Sequence, residues 1–260
     1  PTGIGDFDLW YKQSQGIELS PSETANWERA VERFETICKQ AAKLKVPVLV
    51  DAEESWIQQS VDDLTHTMMS RYNTDRAIVY NTAQMYRHDR LEFLKEQVAQ
   101  AQRTGYIYGV KIVRGAYMEK ERERAERLGH PSPIQATKGD TDRDYNAALN
   151  FCFERLDQVW VCVGTHNEDS SKLAYDLLQQ QNLASNDPRV CFAQLFGMSD
   201  HISFNLAKSG CRVAKYVPYG PVADVMPYLF RRAAENTSVA GQTGRELSLI
   251  KKERKRRRKS

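Results

Sequence analysis

The chain has 260 residues, 41% of them hydrophobic and 27% charged, with a formal net charge of +3. That length suits a single α/β barrel or two ordinary domains, and the composition is that of a globular protein, which excludes collagenous and disordered classes. No apolar stretch approaches the roughly 18 residues that would span a bilayer, and five cysteines (Cys38, Cys152, Cys162, Cys191, Cys211) without framework or metal spacing point to a reducing compartment and buried thiols.

Six continuous apolar runs carry the pattern of parallel strands buried on both faces. They cover 46–51, 76–81, 106–113, 159–164, 189–195 and 212–217. Ahead of them, 22–44 is expected to be helical, with Ser20 or Ser22 as cap and Pro21 near the first turn. Between them, 56–71, 88–103, 139–155 and 168–180 follow the helical period. Strand–helix alternation of this kind predicts βαβ units and a parallel sheet. No G-x-G-x-x-G turn follows any strand, which argues for a barrel over an open dinucleotide-binding sheet. One domain is expected over 1–240, then a helix and basic tail over 241–260. The last ten residues carry eight basic groups and one acid, a charge of +7, so with a total of +3 everything before them is −4. Such an end reads as solvated, or as a contact for acidic lipid. A nucleic-acid partner is not expected, because no aromatic-rich basic face accompanies it.

The strand ends are polar, and in a barrel chemistry is built at the carboxyl ends of strands. Asp51 and Glu53 fall on one side of an extended segment. With His166 they could hold a hard cation, or they could orient an arginine or a flavin; no histidine pair at ligand spacing supports a metal. Lys111-Ile-Val113-Arg114-Gly115-Ala116-Tyr117 ends a strand with a glycine that lets a flat ligand approach the backbone and an aromatic that could wall a ring or simply pack on the core. Thr165-His166-Asn167 offers hydrogen bonds at the next strand end. Beyond the last strand, Tyr228, Arg231, Arg232 and Glu235 fall at i, i+3, i+4, i+7 on one face of a predicted helix. Two adjacent arginines there suit a forked grip on a small carboxylate, or are solvated or paired with Glu235.

Taken together, Val50-Asp-Ala-Glu-Glu54, Val113-Arg-Gly-Ala-Tyr117, Gly164-Thr-His-Asn167, Leu195-Phe-Gly-Met198 and Tyr216-Val-Pro-Tyr-Gly220 through Tyr228-Leu-Phe-Arg-Arg-Ala-Ala-Glu-Asn236 resemble proline dehydrogenase in order and spacing, over roughly residues 1–245. The stand-alone bacterial and mitochondrial enzymes look nearer than the bifunctional ones. The resemblance implies a distorted (β/α)8 TIM-type barrel with FAD at the strand ends, oxidation of L-proline to 1-pyrroline-5-carboxylate, and a membrane quinone as electron acceptor. It implies a cytoplasmic location or peripheral contact with an inner membrane, on the matrix side in a eukaryote; the charge of the basic tail offers a contact for acidic lipid there. No metal is implied.

By the same resemblance, Arg231 and Arg232 bind the substrate carboxylate, Tyr216 and Tyr228 flank the proline ring, Leu195 is an apolar contact, and Asp51 is the aspartate near the substrate arginines. Lys111, Val113, Gly115, Ala116 and Tyr117 lie along the flavin, with Lys111 where bifunctional relatives carry an arginine. Asn81, Thr165, His166, Asn167, Gln194 and Glu235 match positions that contact FAD. Hydroxyproline dehydrogenase is the nearest alternative, disfavoured by Tyr216; a metal-dependent barrel lyase or hydrolase using Asp51, Glu53 and His166 is a further one. The chain departs from the family where Ala83 replaces an expected aromatic. It also begins at the turn Pro1-Thr-Gly3 that follows the family's first, lysine-bearing strand. A barrel lacking its first strand and the N-terminal arm is therefore expected, as in a piece of a longer protein.

Overall fold

The computed structural model describes residues 1–223, 225, 226, 228–230 and 240–258. The short strand predicted near 237–239 lies outside the described residues. The chain forms two compact units, Pro1–Lys215 and Tyr216–Ser260.

The first unit opens with helices α1 (Phe7–Gln15) and α2 (Pro21–Leu44). Ser20 begins α2 with a capping box: its hydroxyl accepts from the Glu23 amide, the Glu23 carboxylate accepts from the Ser20 amide, and Pro21 occupies the first turn. Ala30, Phe34, Cys38 and Ala41 line its buried stripe. Then strands and helices alternate: β1 (Val48–Leu49), α3 (Ser55–Tyr72), β2 (Val79–Gln84), α4 (Arg90–Thr104), β3 (Tyr108–Val113), α5 (Met118–Leu128), α6 (Lys138–Phe153), β4 (Val159–Gly164), α7 (Glu168–Gln180), β5 (Val190–Leu195), α8 (Asp200–Lys208) and β6 (Val213–Tyr216). The strands follow one another in the sheet in chain order, β1 to β6, and β1 through β5 pair in parallel. The result is an α/β fold whose six-stranded parallel sheet curls as half a barrel.

Side chains alternate across the sheet. Val110 and Ile112, Val161 and Val163, and Val190 and Phe192 are buried on one face, within the core that also holds Leu94, Leu149 and Leu178 of the helices. The other face carries a row of register partners that runs Thr82, Lys111, Cys162, Cys191. At Gly109 the strands approach so closely that a β-carbon would stand 2.4 Å from the Val79 carbonyl oxygen.

Among the described residues the predicted strands and helices are present, with shifts that have local causes; 231–235 of the predicted arginine-bearing helix lie outside them. β1 is only two residues long, because Pro47 just ahead of it has no amide to donate. β2 starts three residues later than expected. The Asn73 side chain accepts the Ile78 and Val79 amides and donates to the Val79 carbonyl, so the segment before Val79 is held by an amide side chain. Helices α1, α5 and α8 were not predicted; α5 buries only Glu121 and Ala125, so it carries almost no apolar period. In the second unit, the described part of 222–230 is helical, and a C-terminal helix runs from Ala240 to Arg257. The basic run is largely helical and mostly exposed to solvent; Glu253 joins Arg256 at 2.8 Å and Arg257 at 2.9 Å. Among the described residues, no helix is long and apolar enough to cross a membrane.

Candidate functional site

The carboxyl ends of β1 to β5 form a polar rim. Lys111, near the middle of β3, reaches Asp51, two residues past β1, in an ion pair. Asp51 is half-exposed while the Lys111 side chain is mostly covered, so the lysine is the better shielded member. Glu53 accepts from the Thr2 amide at 3.1 Å and the Thr2 hydroxyl at 2.9 Å. Asn81 is buried: its amide donates to Asp62 at 2.8 Å and its carbonyl accepts from the Thr82 amide. In register with Val110, it lies on the helix-facing side of the sheet. Ala83, where an aromatic was expected, is buried.

Arg114, just past β3, organises the centre of this rim. Its Nε donates to Asp142 at 2.7 Å, one terminal nitrogen to the Thr165 hydroxyl at 2.8 Å and the other to the Ser170 hydroxyl at 3.0 Å. Its guanidinium also stacks 4.3 Å from the Tyr145 ring centre. Burial alone would raise the Asp142 carboxyl, but Lys138 and Arg114 hold it below the usual carboxylate range. Sequence reasoning placed Arg114 within the motif without giving it a role. The available signal was its position, one residue before a glycine at a strand end. Gly115 has φ +131, and a β-carbon there would stand 2.5 Å from the Tyr86 ring. Only glycine fits both constraints. Gly115 and Ala116 are exposed, Val113 half-exposed, so the backbone here is open to a ligand. Lys120 lies 5.6 Å above the ring of Tyr117.

At the end of β4, the buried Thr165 hydroxyl accepts from Arg114 and from the Asn167 amide at 3.0 Å. His166 Nδ1 is 3.0 Å from the Ser199 hydroxyl. Asn167 caps α7, its carbonyl accepting from the Ser170 amide at 2.8 Å. Gln194 donates to the Thr165 carbonyl at 3.3 Å and accepts from Ser203 at 2.9 Å. Leu195, at the end of β5, is half-exposed.

In the second unit, the rings of Tyr216 and Tyr228 stand 5.4 Å apart at 57°, a tilted aromatic pair. Tyr216 is half-exposed at 47%. Arg231, Arg232 and Glu235 lie outside the described residues. Among the described residues, no group of three or more His, Cys, Asp and Glu side chains is arranged to hold a metal.

Chemically, the rim offers a shielded ammonium paired with a carboxylate, an exposed small-residue backbone and an adjacent aromatic. That donor set fits a flat, polar heterocycle.

A family model described as proline dehydrogenase matches residues 6–245. Proline dehydrogenase 1, mitochondrial, of Drosophila melanogaster is 37% identical over 250 residues, which cover 92% of this chain and 37% of that protein. The human protein of the same name is 38% identical over 235 residues, covering 89% of this chain and 39% of its own length. The carbapenem antibiotics biosynthesis protein CarD of Pectobacterium carotovorum is 38% identical over 257 residues, 99% of this chain and 66% of that protein. The chain thus spans well under half of the two animal relatives. Among solved structures, proline utilization A from Bdellovibrio bacteriovorus, inactivated by N-propargylglycine, superposes with a TM-score of 0.75 at 23% identity, over 84% of this chain and 22% of that one. That likeness concerns the fold.

Proposed function

Because the chain belongs to the proline dehydrogenase family, we propose that it carries the FAD-dependent oxidation of L-proline to 1-pyrroline-5-carboxylate. The curled sheet is then part of a distorted (β/α)8 barrel. The observation that supports this reading is the rim itself: Asp51, Gly115, Thr165 and Gln194 lie at the carboxyl ends of β1, β3, β4 and β5, where barrel chemistry is built, and Lys111 of β3 reaches Asp51 there.

When bound, FAD supplies the redox chemistry, accepting a hydride from the proline carbon next to nitrogen. The protein's own contribution is orientation. Arg231 and Arg232 hold the substrate carboxylate through forked, charge-assisted hydrogen bonds. Tyr216 and Tyr228 wall the ring and Leu195 adds an apolar contact. Lys111, Val113, Gly115, Ala116 and Tyr117 receive the isoalloxazine, with Lys111 held in place by Asp51. Thr165, His166, Asn167, Gln194 and Glu235 complete the cofactor site, whereas Asn81, expected to contact FAD, is buried on the helix-facing side and bound to Asp62. We assign 1–240 to the catalytic domain and 241–260 to a helix with a basic end. That end touches acidic lipid, and a membrane quinone takes the electrons. Several eukaryotic relatives are named as mitochondrial, so in a eukaryote we place the protein at the matrix side of the inner membrane.

An anaerobic absorbance titration tests the reading. L-proline should bleach the flavin of the FAD-loaded protein, and hydroxyproline should do so more weakly. A bound flavin whose spectrum L-proline leaves unchanged would overturn it.

A further inference from the structure

Cys162 of β4 and Cys191 of β5 are register partners on adjacent parallel strands. Register partners share a face of the pleated sheet, and neighbouring strands lie about 4.7–4.9 Å apart. That spacing falls inside the range of about 4.4–6.8 Å between the α-carbons of a disulfide. Cys162 is buried, whereas Cys191 is partly open. The two therefore differ in access while sharing one row. Lys111 is the register partner of Cys162 on its other side, so a cation flanks the pair. We propose that Cys162 and Cys191 form a redox-active dithiol, a modification site that a peroxide converts to a disulfide.

The chemistry assigns the two sulfurs different parts. The Cys191 thiol donates to the Phe192 carbonyl oxygen at 3.6 Å. The neighbouring Cys162 draws Cys191 below its ordinary value, burial opposing and Arg212 assisting, and Cys191 together with burial pushes the Cys162 thiol up. Cys191 is thus the more acidic and the more accessible of the two, and nucleophilic attack belongs to it. Its sulfur attacks one peroxide oxygen, the O–O bond breaks, and the leaving oxygen departs as water. The sulfenic acid left on Cys191 is then displaced by the sulfur of Cys162. The S–S bond forms and a second water leaves with the remaining protons. Two thiols lose two electrons and one peroxide gains them. A thiol reductant reverses such a bond by thiol–disulfide exchange.

This inference rests on the sheet register and not on the proposed reaction, and its test reads thiols, not turnover. The reduced full chain is treated with hydrogen peroxide, and free thiols are counted in denaturant. The count should fall from the five of the sequence to three, return to five with dithiothreitol, and leave a cross-linked peptide joining Cys162 to Cys191. Cys211→Ser, which removes the cysteine of the tryptic fragment that follows the one carrying Cys191, should still lose two thiols. A count that stays at five, or a two-thiol loss that persists in Cys162→Ser, overturns the proposal. The wild-type count needs no variant, so poor folding of a substituted chain leaves the test intact.

Discussion

Asp62 on α3 is the acceptor at the centre of a buried network, and its removal has a calculable cost. The residue is 1% exposed. One of its oxygens accepts from Gln58 and from Asn81, each at 2.8 Å, and the other from Arg90 at 2.9 Å. Asp62→Ala therefore strands two buried amide donors and part of a guanidinium. Breaking a buried ion pair from one side costs about 3–5 kcal/mol. Arg90 keeps Asp89 through two other nitrogens, at 3.1 and 2.8 Å, so its charge is not left alone and the lower end applies, about 3 kcal/mol. For a chain of this size that lowers Tm by roughly 6–12 °C. Urea unfolding followed by circular dichroism gives the difference directly. The double variant Asp62→Ala/Arg90→Met should cost less than the sum of its parts, because the second change removes the charge that the first exposed. A loss below about 1 kcal/mol for Asp62→Ala would show that the three donors find other partners, and would refute the reasoning.

Other outcomes follow from single features. Arg231→Met or Arg232→Met should raise KM for proline at least about tenfold, since a charge-assisted hydrogen bond is worth about 1.5–3 kcal/mol; steady-state kinetics with normal proline saturation would count against the clamp. Gly115→Ala should destabilise the fold by about 1–3 kcal/mol, and Tyr86→Ala should restore only part of it, because the positive φ remains after the ring contact is gone. Ser20→Ala removes the α2 cap and should cost about 1 kcal/mol in a denaturant titration. Burial would raise the Asp89 carboxyl, but Arg90 and Arg87 bring it from 3.8 to about 2. Its folded value lies below its unfolded one, so the stabilisation is present above about pH 4 and fades as pH falls toward 2. Stability measured across that interval should fall less steeply in Asp89→Asn.

Much of this fold was legible because a parallel strand buried on both faces leaves an uninterrupted apolar run. Val159-Trp-Val-Cys-Val-Gly164 gave a strand with the bounds later observed, and Ser20-Pro-Ser-Glu23 gave the start of α2. The misplaced start of β2 came from a contact that periodicity does not encode, since Asn73 meets Ile78 and Val79 only through a turn. Helix α5 stayed hidden for a related reason. Its charged sequence has two buried positions, and one of them is Glu121, whose carboxylate accepts from the Ser55 amide and hydroxyl across 66 residues. A pattern of apolar residues cannot announce a helix that is anchored by a carboxylate.

The rim divides by the same logic. Motif spacing brings Thr165, Asn167 and Gln194 to strand ends, yet their side chains are already engaged within the fold: Thr165 by Arg114, Asn167 by the first turn of α7, Gln194 by Ser203. A ligand arriving at this rim meets them as parts of a preset frame. The more open surface comes from Val113, Gly115, Ala116 and Leu195, which are small or apolar and bring little charge. Charge enters through Lys111, and Asp51 fixes where that charge sits. Neutralising Asp51 alone should therefore release the lysine without removing it. If the proposed flavin lies against Lys111, Asp51→Asn and Lys111→Met should shift its absorbance maximum differently. Identical spectra from the two variants would mean that the ion pair acts only as scaffold.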